Sequence, residues 1–224
     1  MKSLPALAAL LLLAACGSGG PPPPDWKTDS ADLVARYQKY ALLGENTLAE
    51  RYFQQAVAAT GGAGRVAETA HLWLVRCGIR RAMLIDDTCT EYAELARMAP
   101  SATDQAYYRF ITLRWEDLDP ALLPPQHRDV LRAPTGRRSE TLDTITDPLA
   151  RLLDASLLVM RQEADAATLV IATETASSQG WRQPLLTFLK LQREQAVARG
   201  DRAEQARLDQ RIRLVETSIF PPPR

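Results

Sequence analysis

Gly44-Glu45-Asn46-Thr47-Leu48-Ala49-Glu50-Arg51-Tyr52-Phe53-Gln54-Gln55-Ala56 is the stretch on which the fold turns. Ahead of it Leu33, Tyr37, Tyr40 and Leu43 recur at three- and four-residue steps. That spacing predicts a helix from about Ser30 to Leu43, with Gly44 as its C-terminal stop. After the glycine, Leu48, Ala49, Phe53, Ala56 and Val57 give a second helix, about Glu45 to Thr60, closed by Gly61-Gly62. Two helices joined by so short a turn must pack as an antiparallel hairpin. The small Ala49 and Ala56 let them approach closely, and Phe53 fills the gap toward whatever packs next.

Working outward, helical punctuation recurs and strand signals are scarce. A third helix, about Arg65 to Leu84, carries Val66, Ala70, Trp73, Leu74, Cys77 and Met83. A helix apolar around much of its circumference is buried by several neighbours. Asp87-Thr88 with Glu91 has capping-box spacing and predicts a fourth helix to about Met98. A fifth follows Pro100-Ser101 and Asp104 and runs to about Glu116, with Tyr107, Phe110, Ile111 and Trp115. From Asp119 to Ser139, Pro120, Pro124, Pro125, Pro134 and Gly136 permit only short helical turns, and Pro134 to Arg138 reads as a mobile surface loop. Asp147-Pro148 then starts a helix bearing Leu149, Leu152, Leu153 and Met160. Further helices are predicted at Asp165–Ser178, Trp181–Arg199 and Asp201–Ser218. The last opens with Asp201 and Glu204 in capping-box spacing and carries Leu208, Ile212, Val215 and Ile219 on a narrow apolar face. The fold class expected is all-α: antiparallel hairpins stacked as an array, or an irregular helical bundle.

The hairpin around Gly44 resembles the middle of a tetratricopeptide repeat, with glycine at the inter-helix turn and Ala49-x-x-x-Phe53 matching that family's Ala-x-x-x-Phe signature. About 39 residues on, Thr88, Tyr92 and Pro100 echo its later half. The first helix departs from the pattern, with Leu33, Arg36 and Tyr37 where the family prefers Trp, Leu and Gly. Gly200-Asp201 repeats the turn without the Ala and aromatic after it. The resemblance covers residues 30 to 100 and implies a tetratricopeptide-like array with a protein-binding surface.

The chain's one strongly apolar run, Leu4 to Ala15, follows Lys2 and ends in Leu13-Ala14-Ala15-Cys16. A positive n-region, an apolar core of signal-peptide length and small residues at its end mark a signal peptide; about 20 apolar residues are needed to span a bilayer. Leu-Ala-Ala-Cys resembles the lipobox of bacterial lipoproteins, which implies cleavage before Cys16 and covalent lipid on its sulfur. Gly17 stands where lipoproteins kept in the inner membrane often carry Asp. The expected location is therefore the outer membrane, facing the periplasm, with the membrane itself as one partner. Gly17 to Thr28, with Pro21 to Pro24, reads as a tether of roughly 30 Å. The organisation expected is a signal peptide (1–15), a lipidated tether (16–28), a tetratricopeptide-like lobe (29–118), a Pro-rich connector (119–139), a C-terminal helical lobe (140–219) and a tail (220–224).

Composition narrows the function. With 46% hydrophobic and 24% charged residues the chain is an ordinary folded protein. Its formal net charge of zero argues against nucleic acid as a partner. All but four of the 27 basic residues are Arg, which reads as compositional bias. Export places Cys77 and Cys89 in an oxidising compartment, where a close pair is bridged more often than free. Two buried thiols are the alternative, and a bridge fits best if the third helix bends near Met83, since bridged Cα atoms lie within about 7 Å.

No catalytic residue, metal set or cofactor site is expected. The only histidines are His71, read as a core or boundary residue, and His127, read as part of an exposed turn. Neither His-x-x-x-His nor Gly-x-Ser-x-Gly occurs, nor any phosphate-binding glycine loop. Asp86-Asp87 reads as a helix start, and Glu116-Asp117 and Glu163 with Asp165 as solvated helix ends. What is left is surface: Tyr107, Tyr108, Arg109, Arg114, Trp115 and Trp181 are the candidate partner surface, since aromatics and Arg dominate binding hot spots. The function expected is a non-catalytic scaffold or adaptor for an envelope protein. The alternative is an envelope enzyme or small-ligand binder with a site between the lobes, around His71 or the 119–139 segment.

Overall fold

The turn at Gly44 forms as the sequence requires. In a computed structural model, which describes residues 23–219, α1 (Asp25–Leu43) ends at Gly44 with φ 83°, in the left-handed region glycine enters freely. Gly44 N–H donates to Ala41 O at 3.0 Å and Glu45 N–H to Tyr40 O at 2.9 Å, satisfying carbonyls the helix end leaves open. The chain reverses directly into α2 (Asn46–Gly62), and these two helices share the most extensive contact of any pair.

Among the described residues the protein is all α. The remaining helices are α3 (Val66–Ala82), α4 (Thr90–Leu95), α5 (Ala102–Ile111), α6 (Arg128–Arg132), α7 (Pro148–Met160), α8 (Ala166–Ser178), α9 (Arg182–Ala198) and α10 (Arg202–Ile219). Helices pack on their sequence neighbours from α1 to α4 and from α7 to α10, while α3 also packs on α5 and α7, and α1 on α9. Phe53 is fully buried between Tyr37, ring centroids 5.1 Å apart, and Trp73, edge-on at 4.8 Å. The Ala49-x-x-x-Phe53 face thus packs α2 on both α1 and α3. One cluster of buried side chains runs from Tyr37 to Phe188. A smaller one of Leu189, Ala196, Leu208 and Ile212 docks α10, whose Asp201 caps Glu204 N–H at 3.0 Å. Burying each such aliphatic or aromatic side chain contributes about 1.5–3 kcal/mol. None of the helices in the described residues is long and apolar enough to cross a membrane.

Several expected boundaries move. Residues 25 to 28 were expected in the tether but form the first turn of α1, where Asp25 meets the positive helix end. The rest of the tether before residue 23, the signal-like run, Cys16 and the tail at 220–224 lie outside the described residues. α3 stops at Ala82, not Leu84, and α5 at Ile111, not Glu116. Leu84, Leu113 and Gln162 close α3, α5 and α7 by the same left-handed turn as Gly44, at φ 59°, 65° and 60°. That conformation costs a residue with a β-carbon about 1–2 kcal/mol, so nothing in the local sequence announced it.

The expected capping box at Asp87 does not form. Cys77 and Cys89 are joined as a disulfide with Cα atoms 5.6 Å apart, α3 having ended just before Met83. The bridge draws the loop back onto α3, and Cys89 itself precedes α4 at φ 53°. Asp87 accepts the Cys89 N–H at 2.8 Å and pairs with Arg80 at 2.5 Å; Asp86 pairs with Arg81 at 2.8 Å. The two aspartates therefore hold the loop to α3 instead of starting a helix.

The connector is packed. It forms 3-10 turns at Pro120–Leu122 and Pro125–His127, then α6, then a 3-10 stretch at Arg138–Thr144. Leu123 and Val130 bury their side chains in the core, as do Leu118 and Leu142 on its flanks. Pro134 to Arg137 are exposed, but Arg138 is anchored: it pairs with Glu163 at 2.6 Å and lies over Trp115 at 4.8 Å.

Candidate functional site

An open groove of about 850 Å³ lies at the foot of α1. Trp26, Ala31 and Val34 of α1 line one side, and Ala67, His71, Leu72 and Val75 of α3 the other. Ser101 and Asp104, at the start of α5, close one end. Ser101 accepts the Asp104 N–H at 3.3 Å, fixing Asp104 near the rim. The lining is mainly apolar, and the rim carries charges of both signs. Arg65 lies over the Trp26 ring at 5.1 Å and pairs with Glu68, while His71 Nδ1 meets the Asp104 carboxylate at 3.3 Å. That hydrogen bond pushes the His71 pKa up, against the opposing effect of desolvation.

His71 was expected in the core or at its boundary, yet its side chain is half exposed. The reason is register: Thr69, Ala70, Leu72 and Leu74 take the buried positions on α3, and His71 falls on the groove side.

His127 reverses its expectation in the other direction. The turn at Pro125–His127 tucks beneath α5 and α7, leaving His127 3% exposed. Its Nδ1 lies 2.7 Å from Asp154 Oδ1, and Asp154 is fully buried. The ring also packs on Tyr107 and Phe110, centroids 5.7 and 5.2 Å away. Burial raises the Asp154 pKa, with the charge and hydrogen bond of His127 pulling the other way. Asp154 Oδ2 is buried with no hydrogen-bond partner. Beside the pair is a cavity of about 130 Å³, lined in part by Gly78, Tyr107, Gln126, His127 and Leu153. Gly78 makes room for Tyr107, because a β-carbon there would sit 2.8 Å from the Tyr107 hydroxyl.

Sequence reasoning passed over Asp154 altogether. The signal was an acid inside Leu152-Leu153-Asp154-Ala155-Ser156-Leu157, an otherwise mostly apolar helical run. A carboxylate there requires a partner, since an unpaired buried charge is costly.

The candidate partner residues fall in different places. Tyr108, Arg109 and Arg114 share a cleft beside α4 and α5, with Arg114 over the Tyr108 ring at 4.6 Å. Tyr107 lines the small cavity by His127. Trp115 is 6% exposed, stacked on Phe110 at 5.1 Å, donating to Phe110 O at 2.7 Å and covered by Arg138 and Arg161. Trp181 stands half-buried just before α9. Glu163, expected at a solvated helix end, is mostly buried and pairs with Arg138 and Arg161 at 2.6 and 2.7 Å. Burial raises its pKa, but these hydrogen bonds hold it below the usual carboxylate range. The one grouping of three potential metal ligands among the described residues is Cys77, Asp87 and Cys89. Its two sulfurs are taken by the disulfide, so it offers no thiolates.

Compared with models of known families, with curated proteins and with solved structures, the chain matches none of them.

Proposed function

We propose that this protein is a lipid-anchored scaffold of the bacterial envelope, non-catalytic, which holds a partner protein through the groove at the foot of α1. The observation behind this reading is the groove's size and position. At about 850 Å³ it is open and mainly apolar, with room for the side chains of a docked segment. Pro24 and Trp26 are part of its wall, so it opens where the tether enters the folded part. Anchoring through Cys16 would then present the groove within tether's length of the membrane. A tetratricopeptide-like array of hairpins fits this use, because stacked helices present concave surfaces for peptides. Outer-membrane attachment through Cys16 belongs to the same proposal and rests on the lipobox resemblance.

Two observations favour the rival, a small-ligand or catalytic site: the groove is lined by His71, paired with Asp104, where such a site was expected, and the buried His127–Asp154 pair lies beside its own cavity. Size decides against the second of these. A cavity of about 130 Å³ is below the ~300 Å³ at which ligand pockets begin.

The test is affinity capture of the full-length protein from solubilised envelopes, alongside Val34→Glu, which places a charge in the groove lining. Recovery of one specific partner by the wild type and its loss with Val34→Glu supports the reading. Equal recovery by both, or none by either, refutes it.

A further inference from the structure

A second concavity, with arginines set around an apolar floor, lies in the cleft between α4 and α5. It measures about 400 Å³, and its lining brings together Arg97, Arg109 and Arg114 with Tyr92 and Tyr108 and contains no carboxylate. Several arginines nearby are matched to acids: Arg76 and Arg80 to Asp87, Arg81 to Asp86, Arg138 and Arg161 to Glu163. The three cleft arginines make no ion pair among the described residues, and two of them are held in place by neutral groups. Arg114 Nε donates to Thr112 Oγ1 at 3.2 Å while its guanidinium rests on the Tyr108 ring. Arg109 donates to the backbone carbonyl of Glu116. A guanidinium has five N–H donors, so each keeps most of its donors unused. Tyr92, in the same lining, has a hydroxyl that is buried without a hydrogen-bond partner.

Three arginines lining one cleft without an ion pair suit an anion carrying more than one negative charge, and guanidinium forks match phosphate oxygens two at a time. Half-buried Tyr108 and the aliphatic Ala93, Ala96 and Pro100 add apolar surface beside that charge. We infer that the α4–α5 cleft is a binding site for a phosphorylated ligand. Arg97, Arg109 and Arg114 take its phosphate or diphosphate, and the Tyr108 side takes its less polar part. The source is either the headgroup of an anionic phospholipid or a soluble phosphate compound.

Titration of the full-length protein in neutral detergent at low salt tests this, with pyrophosphate and a short-chain phosphatidic acid as probes. Saturable binding of at least one probe is expected. It should weaken about tenfold in Arg114→Gln and about a hundredfold in the Arg97→Gln/Arg109→Gln double variant, the size expected for lost charge-assisted hydrogen bonds. Exposed Arg213→Gln should bind as wild type. Tighter binding of phosphatidic acid than of pyrophosphate identifies a lipid headgroup, and the reverse a soluble phosphate. Should the glutamine variants fail to fold by circular dichroism, the side-chain Nε resonances of the wild type decide instead. On adding pyrophosphate those of Arg97, Arg109 and Arg114 should shift while Arg213 stays still. No saturable binding of either probe, equal competition by acetate, or Nε shifts spread over all arginines overturns the assignment.

Discussion

Replacing Asp154 by Ala leaves His127 buried opposite an empty space. The pair is 3% and 0% exposed with its atoms 2.7 Å apart, so neither group recovers water when the other goes. Removing one member of such a pair costs about 3–5 kcal/mol. Asp154→Asn keeps a hydrogen-bonding group within reach of His127 Nδ1 and should cost less, about 1–3 kcal/mol. Replacing both by leucine removes both buried polar groups, and the adjoining cavity gives room to repack, so the double variant should be within about 2 kcal/mol of wild type. Urea unfolding followed by circular dichroism gives each value from the midpoint, the slope staying constant.

The pH dependence of this pair has a definite sign. Burial raises the Asp154 pKa, so the native state holds that proton more tightly than the unfolded chain. The associated stability is fully present below the unfolded value of about 3.9 and is lost as pH rises through the native value. Hence the margin of wild type over Asp154→Asn should shrink as pH rises above about 4. Glu163 has the opposite sign, its native pKa being lowered. Its contribution is present above about 4.3 and is lost as pH falls through the native value. A cost below about 1 kcal/mol for Asp154→Ala, or strict additivity of the His127 and Asp154 replacements, would refute the account of a coupled buried pair.

Three other outcomes are expected. Gly78→Ala drives a β-carbon to 2.8 Å from the Tyr107 hydroxyl and should cost about 1–3 kcal/mol in thermal or urea unfolding. Tyr107→Phe, which deletes that oxygen, should recover most of the loss. Cys77→Ala/Cys89→Ala should lower stability by about 2–3 kcal/mol, as expected for a bridge across 12 residues; wild type in reductant should unfold at the same urea midpoint as the variant. Cys16→Ala should abolish incorporation of labelled fatty acid in cells, read on a gel after immunoprecipitation.

The hairpin architecture was legible because its signals are local. Gly44, the Ala49-x-x-x-Phe53 face and Asp147-Pro148 each specify a turn or a start within a few residues. Asp147 does cap α7, accepting the Ala150 N–H at 2.7 Å. The left-handed closure at Leu113, which stops α5 well short of Glu116, was not legible, because tertiary packing holds a non-glycine residue in that turn. The two histidines exchanged roles for the same kind of reason. His127 sits among prolines and Arg, a pattern that reads as exposed, but its burial depends on Asp154, 27 residues away on another helix. His71 sits on an apolar helix, yet the groove beside it is made by α1 and by the start of α5. Trp115 looked like a surface aromatic until Arg138 and Arg161 closed over it. Long-range pairs of this sort leave no periodic trace in the chain.

Photo-crosslinking in living cells bears most directly on the scaffold reading. A crosslinking amino acid placed at Val34, in the groove wall, is compared with one at Val197, an exposed residue of α9 that does not line the groove. The account predicts one discrete protein adduct from Val34, none from Val197, and loss of the adduct when Cys16 is replaced by Ala. No adduct from Val34, or the same adducts from both positions, would contradict it.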